Sequence, residues 1–268
     1  DEIEAVGHRM VHGGSDYPNS TIIDEDVLKV VEGLVDLAPI HVPANLIGVR
    51  AFQELIPNAK AVAVFDTSFH QTLPKEAYLY AVPYEWYEKY GVRKYGFHGT
   101  SHKFVAQRMN EILGKNDTKL ITCHIGSGGS VSAILNGKCI DTSLGFTPDA
   151  GIMMGTRSGD IDYAIIPFIM EKTGMTFAEV DNILNRKSGL AGMSGVGSDL
   201  RDVEQAISDG DEQAKLAFDM YVRHIVEYIA KYYVLLGGCD AIVMTAGCGE
   251  NSSYMREKIC KRLSVLGV

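Results

Sequence analysis

The sequence has few of the features that mark membrane, secreted or metal-stabilised proteins. No stretch of the 268 residues approaches ~18 uninterrupted apolar positions, and no charged-then-apolar leader opens it, so neither a membrane span nor a signal peptide is predicted. The five cysteines are odd in number and contain no C-x-x-C pair. This pattern argues against a disulfide framework and a structural zinc site, and it favours a reducing, cytoplasmic compartment.

Positive charge is also scarce. With 25 basic and 34 acidic residues the formal net charge is −9, which argues against nucleic acid or an anionic membrane as a partner. The P-loop pattern, the dinucleotide-binding G-x-G-x-x-G opening a helix, the protein-kinase motif set and H-E-x-x-H are all absent. An anionic ligand would therefore have to be held by local groups.

Glycine, in contrast, is abundant. The chain has 28 glycines, and 13 of them lie between Gly126 and Gly197. Apolar residues make up 46% and charged residues 22%, as in ordinary globular proteins, and the length corresponds to about 1.8 domains of ~150 residues. The excess of glycine indicates places where the backbone approaches another group closely.

Apolar runs that end in polar or glycine residues predict buried parallel strands at Ala59–Phe65, Leu120–Cys123 and Asp240–Thr245. The Asn136-Gly137 pair between two apolar runs predicts a hairpin over residues 131–141. Apolar residues at helical spacing predict helices over residues 24–36, 43–52, 164–172, 177–185, 202–208 and 211–236. This order of elements predicts an α/β fold with mixed sheets, and Thr67–Pro74 is the best position for a tight domain boundary.

Glycine-rich turns follow the predicted strands at His124–Ser130 and Gly247–Asn251, and a third lies at Gly151–Gly159. Backbone N–H groups in such turns can face an anion without an intervening side chain, so these segments predict phosphate binding. His98 and His102 are four apart, as in a helical metal pair, but Gly99 and Thr100 between them disfavour a regular helix.

Two arginines stand among glycines and one aspartate ends an apolar strand. Arg9 lies beside Gly13-Gly14, Arg157 lies between Gly155 and Gly159, and Asp66 follows the predicted strand 59–65. Such arginines can bind a carboxylate or a phosphoryl group bidentately, and such an aspartate can orient a metal. Surface ion pairs for the arginines and a helix cap for Asp66 are the plainer interpretations.

Taken together, these segments resemble the acetate and propionate kinase family of the sugar-kinase, Hsp70 and actin superfamily. The resemblance spans the whole chain and rests on seven motifs in the family's order, at Gly7–Gly14, Leu37–His41, Val64–His70, Tyr95–His102, Thr122–Gly126, Met154–Asp160 and Thr245–Ser252. It implies duplicated actin-like, ribonuclease-H-like domains with mixed sheets. Residues 1–67 would be the remainder of an incomplete N-terminal domain, and residues 68–268 a C-terminal nucleotide-binding and dimerisation domain.

The resemblance also assigns roles on the acyl side. Arg9 and Arg157 would hold the carboxylate and the phosphoryl group, and His98 with Arg157 would stabilise the transition state. Asp66 would be the active-site carboxylate, an indirect partner of Mg²⁺ or Mn²⁺ rather than a strong base, because a carboxylate substrate is already a nucleophile. The substrate would be placed by His41 and by a small apolar pocket made of Val11, Ile40, Phe97 and Pro148.

On the nucleotide side, the resemblance implies ATP or ADP as co-substrate. Phosphates would lie on His124, Ile125, Gly126, Ser127 and Gly128, the ribose and base on Asp199, Leu200 and Arg201, and adenosine on Gly247, Cys248, Gly249, Glu250 and Asn251. The family's N-terminal phosphate-binding and C-terminal metal-binding segments are not in this sequence, so the chain alone is expected to be inactive or poorly active. A cytoplasmic homodimer is implied as well.

The implied reaction is reversible, in-line transfer of the ATP γ-phosphoryl group to acetate, giving acetyl phosphate and ADP. A propionate kinase differs only in pocket volume, and an actin-like ATP-binding module without phosphotransfer is the alternative from another class. Three positions depart from the family pattern: Ser127 replaces an Asn, Val42 replaces an Asn, and Tyr163 replaces a Pro.

Overall fold

The computed structural model describes residues 3–38 and 41–267. Its strands are β1 (Ala5–Met10), β2 (Thr21–Ile22), β3 (Lys60–Phe65), β4 (Lys119–Ile125), β5 (Gly129–Leu135), β6 (Lys138–Thr142) and β7 (Ala241–Thr245). Its α-helices are α1 (Glu25–Gly33), α2 (His41–Leu55), α3 (Lys75–Tyr78), α4 (Tyr84–Tyr90), α5 (Gly99–Leu113), α6 (Ile165–Thr173), α7 (Phe177–Arg186), α8 (Gly189–Ser194), α9 (Leu200–Ser208), α10 (Glu212–Leu236), α11 (Ala246–Asn251) and α12 (Ser253–Leu263). Short 3-10 turns occupy Val35–Leu37, Ser68–Thr72 and Ser264–Leu266.

The chain divides into two compact units. The first comprises Asp1–Asp117 and Ile134–Pro148, and the second comprises Thr118–Ala133 and Asp149–Val268. Residues 68–117 thus pack with the first unit, whereas the sequence placed a boundary near residue 67. The division of the chain into two actin-like domains near residue 67 stays a prediction.

The sheet of the first unit has the strand order β1-β3-β2. Strands β1 and β3 are parallel, with Ala5 opposite Lys60 and Met10 opposite Phe65, and β2 adds to β3 in antiparallel fashion. In β3 the buried side chains alternate along the strand, as expected for a sheet with one face in the core. Because β1 and β3 end at the same level, the residues that follow them meet at one edge of the sheet.

The other sheet has the order β6-β5-β4-β7. In the second unit β4 and β7 are parallel, with Leu120 opposite Ala241 and His124 opposite Thr245, so the glycine-rich segments after both strands start at the same level. The predicted hairpin is confirmed. Asn136 and Gly137 both have positive φ, 51° and 76°, which is the conformation of a type I′ turn.

The predicted helices are present, and their ends follow capping rules. Asp24 accepts hydrogen bonds from the first turn of α1, Thr176 and Glu179 form a capping box on α7, and Gly237 ends α10 with φ 65°. The 25-residue α10 buries nine side chains in the core of the second unit. Within the described residues, no helix is long and apolar enough to cross a membrane.

Two sequence expectations about local structure are wrong. A regular helix, α5, begins at Gly99 and includes His102, because His98 takes a left-handed backbone (φ 57°) and starts the helix as its N-cap. The Gly247–Asn251 segment is helical rather than a loop. Arg256 donates from Nη1 to the carbonyls of Gly249 (3.0 Å) and Glu250 (2.6 Å), which satisfies the end of this short, glycine-containing helix.

Candidate functional site

In the first unit, Arg9 near the end of β1 and Asp66 just after β3 form a paired cluster. Arg9 donates from Nε to Oδ1 of Asp66 (3.1 Å) and from Nη2 to Oδ2 (2.5 Å), so both carboxylate oxygens are bound by one guanidinium. The parallel register makes this possible, because Arg9 lies opposite Val64, two residues before Asp66. The Asp66 side chain is 3% exposed and that of Arg9 is 69% exposed. The cluster therefore presents a guanidinium, already aligned by a buried carboxylate, to the solvent.

The electrostatics of this pair are opposed. Burial is the largest influence and leaves the pKa of the Asp66 carboxyl above its ordinary value, while the Arg9 hydrogen bonds and the charges of Arg9 and His41 oppose this shift in part. The hydrogen bond to Asp66 raises the pKa of Arg9. Because both carboxylate oxygens accept from Arg9, Asp66 orients the guanidinium.

His98 lies beside this pair through the backbone of Asp66. The N–H of Gly99 donates to the carbonyl oxygen of Asp66 (2.8 Å). A Cβ on Gly99 would lie 2.3 Å from that oxygen, so only glycine allows helix α5 to start this close to Asp66. His98 itself has φ 57°, a sparsely populated conformation for a residue with a side chain. Strained backbone of this kind is concentrated at functional sites, which supports the prediction for His98.

The predicted acyl-pocket residues of the first unit differ in burial. Val11 and Phe97 are 7% and 1% exposed, and Pro148 is half-buried. His41 is the first residue of α2 and is exposed. Ile40 lies outside the residues that the structure describes. Asn45 was not predicted from the sequence; its Oδ1 accepts from the N–H of Val11 (2.9 Å) and fixes the chain just after β1.

His12 is a further buried polar group near these residues. Its Nδ1 accepts from the N–H of Gly14 (3.0 Å), and its ring packs edge-on against Tyr95 (4.5 Å between centroids) and Phe97 (5.7 Å). Burial lowers the pKa of His12 to about 4, so the ring is neutral at pH 7. Its Nε2 is buried and makes no hydrogen bond within the described part of the chain.

In the second unit, the glycine-rich segments come together through their backbones. Gly155 donates its N–H to the carbonyl of Ser127 (3.1 Å). A Cβ on Gly155 would lie 3.2 Å from the carbonyl oxygens of both Ser127 and Ser198, so glycine lets three segments approach each other. The structure thus brings the predicted phosphate segment, the Arg157 segment and the start of α9 to one place.

A cavity of about 610 Å³ lies at this meeting point. Of the predicted nucleotide residues, it is lined by Gly126, Ser127, Asp199, Leu200, Arg201, Gly247, Cys248 and Asn251. Sequence reasoning missed three lining residues, Ser198, Glu204 and Ser252. Ser198 directly precedes a predicted residue, whereas Glu204 and Ser252 are found only from the fold, where the Ser252 hydroxyl donates to Glu204 Oε1 (2.5 Å). The volume suits a small-molecule ligand.

Five predicted nucleotide residues do not line this cavity. Ile125 and Gly249 are buried. They pack against each other, since a Cβ added to Gly249 would lie 3.7 Å from the Cβ of Ile125. Glu250 accepts from the Thr245 hydroxyl (3.1 Å). His124 and Gly128 are half-buried and also lie outside the lining. The roles proposed for these five residues stay predictions.

The base-side residues Asp199 and Arg201 are paired with each other. Arg201 donates to Asp199 from Nε (3.0 Å) and Nη2 (2.6 Å), and its backbone N–H also bonds the Asp199 carboxylate (2.9 Å). These bonds lower the pKa of Asp199 to about 2. The pair holds an exposed guanidinium at the rim of the cavity.

Arg157 differs from the other predicted arginines. Burial lowers its pKa, and the charge of Asp149 opposes this shift only in part. The carbonyl of Arg157 accepts from the N–H of Met154 (3.1 Å), which closes a tight turn within Gly151–Gly159. A partly desolvated guanidinium interacts strongly with an anion, so this loop is suited to bind a phosphoryl group.

The described residues do not form a metal cage of their own. Across residues 3–38 and 41–267, no group of three His, Cys, Asp or Glu side chains is placed to hold one ion. Asp66, the predicted indirect metal partner, uses both oxygens on Arg9. His98 and His102 do not belong to such a group within the described residues.

Comparison with known proteins gives consistent results. The model of the acetokinase family matches residues 1–268. The acetate kinase of Geobacillus kaustophilus (strain HTA426) is 56% identical over 270 residues, which cover 100% of this chain and 68% of that protein. The acetate kinase of Carboxydothermus hydrogenoformans is 57% identical and is covered to 67%. The chain thus spans about two thirds of the length of these relatives.

Solved structures agree in fold. The crystal structure of Porphyromonas gingivalis acetate kinase superposes with a TM-score of 0.95 at 50% identity, covering 99% of this chain and 67% of that one. A propionate kinase from Francisella tularensis subsp. tularensis SCHU S4 gives a TM-score of 0.95 at 43% identity, with 98% and 68% covered. The predicted α/β fold with mixed sheets is confirmed by these neighbours.

Proposed function

Because the chain belongs to the acetokinase family, we propose that the enzyme containing it transfers the γ-phosphoryl group of ATP to the carboxylate of acetate. A carboxylate oxygen attacks the γ-phosphorus, and the bond between that phosphorus and the β,γ-bridging oxygen breaks. The products are acetyl phosphate and ADP. No proton needs to move, because the nucleophile is already ionised, and the same path run backwards forms ATP.

The described residues would act mainly by positioning and neutralisation. Arg9, aligned by Asp66, would bind the acetate carboxylate, and Val11, Phe97 and Pro148 would enclose the methyl group. Arg157 and His98 would stabilise the charge that spreads over the transferring phosphoryl group. His41 and Ile40 complete the proposed acyl-side set.

For the nucleotide, we propose the cavity of the second unit. Ser127 and Gly128 would offer backbone N–H groups to the phosphates, while Gly126, whose N–H donates to the Gly128 carbonyl (2.9 Å), would shape the loop. Asp199, Leu200 and Arg201 would meet ribose and base. Apart from its chain neighbours and its own helix backbone, no atom of the described residues lies within 4 Å of a Cβ added at Gly247, which leaves room for a purine. Ser127 keeps a hydroxyl donor where the family pattern has an amide.

A divalent cation, Mg²⁺ or Mn²⁺, is proposed to accompany ATP as part of the co-substrate. Bound to the phosphates, such an ion reduces their negative charge. Since the described residues do not form a cage for it, we assign no step to the ion. A cytoplasmic location is proposed because none of the five cysteines, all within the described part of the chain, forms a disulfide.

The observation that carries the proposal is the bidentate Arg9–Asp66 pair. It presents an aligned cation on the acyl side, which phosphotransfer to a carboxylate requires and an ATP-binding module of the actin type has no need for. The pair would have little purpose in a protein that only binds nucleotide.

The test is Arg9→Lys in the full-length enzyme, assayed for acetyl phosphate formed from ATP and acetate. Lysine keeps the charge but cannot bind two oxygens in one plane, so kcat/KM for acetate should fall about 10- to 100-fold. The matched control is Arg50→Lys, since Arg50 forms an exposed ion pair with Glu32 on the same unit. Wild-type-like turnover by Arg9→Lys, or no acetyl phosphate from wild type, would contradict the proposal.

Propionate is the second candidate acceptor, because one of the matching solved structures is a propionate kinase. One methylene is worth about 1–3 kcal/mol of discrimination in an apolar pocket. The ratio of kcat/KM for acetate to that for propionate decides between the two acceptors. A ratio below one would reassign the substrate without changing the reaction class.

A homodimer is proposed as well. Large apolar side chains are exposed on and beside α6 and α7 of the second unit, including Tyr163, Phe168 and Phe177 at 83%, 56% and 60%. Exposed apolar area of this kind is common at subunit interfaces. Sedimentation of the full-length enzyme tests this, with Phe168→Asp expected to weaken the dimer. A monomeric wild type would refute it.

A further inference from the structure

His70 is a fully buried histidine of the first unit that has no role in the proposed reaction. Its Nε2 lies 2.8 Å from the carbonyl oxygen of Phe97, and its Nδ1 lies 3.2 Å from the Sγ of Cys139. The ring is close-packed, because a Cβ on Gly96 would lie 2.8 Å from the His70 Cδ2 and Cγ atoms. Both nitrogens are therefore committed to fixed partners.

The partners determine which nitrogen of His70 carries the proton. A carbonyl oxygen only accepts, so Nε2 must be the N–H that donates to Phe97. In a neutral ring Nδ1 is then unprotonated and accepts, facing the Cys139 thiol, whose single S–H is shared between Nδ1 (3.2 Å) and the Asp141 carbonyl oxygen (3.4 Å). Burial lowers the pKa of His70 to about 4; the hydrogen bond to the Phe97 carbonyl opposes this shift, and the charge of Lys94 adds to it. At neutral pH the ring is a neutral, single-tautomer donor.

The bond to Phe97 bears directly on His98. The carbonyl of Phe97 and the N–H of His98 belong to one peptide plane, and the rotation of His98 about its N–Cα bond relative to this plane is the φ that measures 57°. On the other side, the Gly99 N–H is bonded to the Asp66 carbonyl (2.8 Å). Thus His70 and Asp66 fix the two peptide planes that flank His98.

We propose that His70 is a positioning residue for His98: by donating to the Phe97 carbonyl, it holds the peptide plane that gives His98 its left-handed backbone. This rests on the proposed role of His98 in phosphoryl transfer. His70 is buried among Phe97, Cys139 and His102, whose ring centroid lies 5.9 Å away, so it acts through the backbone and not on the substrate.

Two substitutions separate hydrogen bonding from packing. In His70→Gln, the side-chain amide N–H can reach the place of Nε2–H and donate to Phe97. In His70→Leu, the volume is similar but the donor is lost. Both variants are made in the full-length enzyme, and kcat and KM are measured for acetate and for ATP.

For His70→Leu we expect kcat to fall about 10- to 100-fold, because small displacements of a reacting group have effects of this size. The KM for ATP should stay within about twofold, since the proposed nucleotide residues belong to the other unit. His70→Gln should recover most of the lost kcat. If His70→Leu loses thermal stability but keeps its kcat per folded molecule, His70 is only structural and the proposal is wrong.

A second measurement does not depend on activity or on the folding of the leucine variant. Nitrogen-15 NMR of histidine-labelled wild type, with the His70 signals assigned by their loss in His70→Gln, reports the tautomer at pH 7. The proposal requires the Nε2–H form; the Nδ1–H form or a protonated ring would overturn it. Absence of kinase activity in wild type would refute the proposed function, whereas the tautomer tests the positioning bond separately.

Discussion

In the first unit the candidate residues are held by charged and aromatic side chains, whereas in the second they are held by backbone that glycines allow to come close. Arg9 is fixed by both oxygens of Asp66, and His98 by bonds to its flanking peptides. The segments around the cavity of the second unit meet at Gly155 instead. The first unit should therefore depend on side-chain identity and the second on the absence of a Cβ.

This difference matches the ligands proposed for each unit. A small carboxylate offers few atoms, so binding it requires strong, oriented side-chain charges. A nucleotide offers phosphates and a large planar base, which backbone N–H groups and an open cavity can bind over a wide area. Four predictions test how far the comparison holds.

The largest effect on kcat is expected at Arg157, where the second unit uses a charged side chain instead of backbone groups. Its guanidinium is the charged side chain among the glycines of Gly151–Gly159, so Arg157→Ala should lower kcat about a thousandfold in the full-length enzyme. The control is Arg186→Ala, at the exposed end of α7. Near-normal turnover by Arg157→Ala would show that the backbone alone performs the phosphate chemistry there.

The next effect concerns glycine itself. Gly189 has φ 61°, and a Cβ there would lie 2.1 Å from the Met154 carbonyl oxygen. We expect Gly189→Ala to lower the free energy of unfolding by about 3 kcal/mol, combining left-handed strain with steric overlap. Gly197→Ala, where nothing lies within 4 Å, should change it little. Equal urea midpoints for the two variants would refute the backbone argument.

Acid should destabilise the first unit next. Burial lowers the pKa values of His12 and His70 to about 4, whereas in the unfolded chain both titrate near 6.5, so the unfolded state takes up more protons as the pH falls below that value. Their contribution to stability is thus complete above about pH 6.5 and is lost towards pH 4. Between pH 7 and 5.5 the expected loss is roughly 2–3 kcal/mol for the pair.

Urea unfolding at the two pH values measures this loss, and hydrogen exchange corrected for intrinsic rate locates it. His70→Gln removes one of the two groups, so its stability should change with pH about half as much from this source. A pH dependence in His70→Gln equal to that of wild type would show that His70 does not contribute.

The smallest effect is expected at Arg201, whose ion pair with Asp199 is exposed. Exposed ion pairs contribute little to stability, so Arg201→Ala should leave the urea midpoint unchanged. The KM for ATP should rise a few-fold, since the guanidinium lies at the rim of the cavity. A large loss of stability would mean that the second unit also relies on side-chain charge.

Local patterns in the sequence predicted much of the fold. Apolar runs and the Asn136-Gly137 turn gave β3, β4, β7 and the hairpin, because strand burial and turn conformation depend on neighbouring residues. The parallel pairing of β1 with β3 also explains why Arg9 and Asp66, singled out separately, form one cluster.

What the sequence did not predict depends on contacts between distant residues. The start of α5 requires His98 in a left-handed conformation and Gly99 against the Asp66 carbonyl, which no local pattern specifies. The helix at Ala246–Asn251 was expected to be a loop, because its stabilising contacts come from Arg256 in the following helix. Asn45 and Glu204 were not predicted either, because their roles also depend on contacts with residues distant in the sequence.

The register of β4 against β7 has a consequence for synthesis of the protein. The backbone N–H of Lys119, at the start of β4, bonds to the side chain of Asp240, 121 residues further along the chain. At a translation rate of about 5–20 residues per second, β4 is made roughly 6–24 s before its partner strand. During that interval an apolar strand edge is open to other chains, so a nascent-chain chaperone should raise the yield of folded protein.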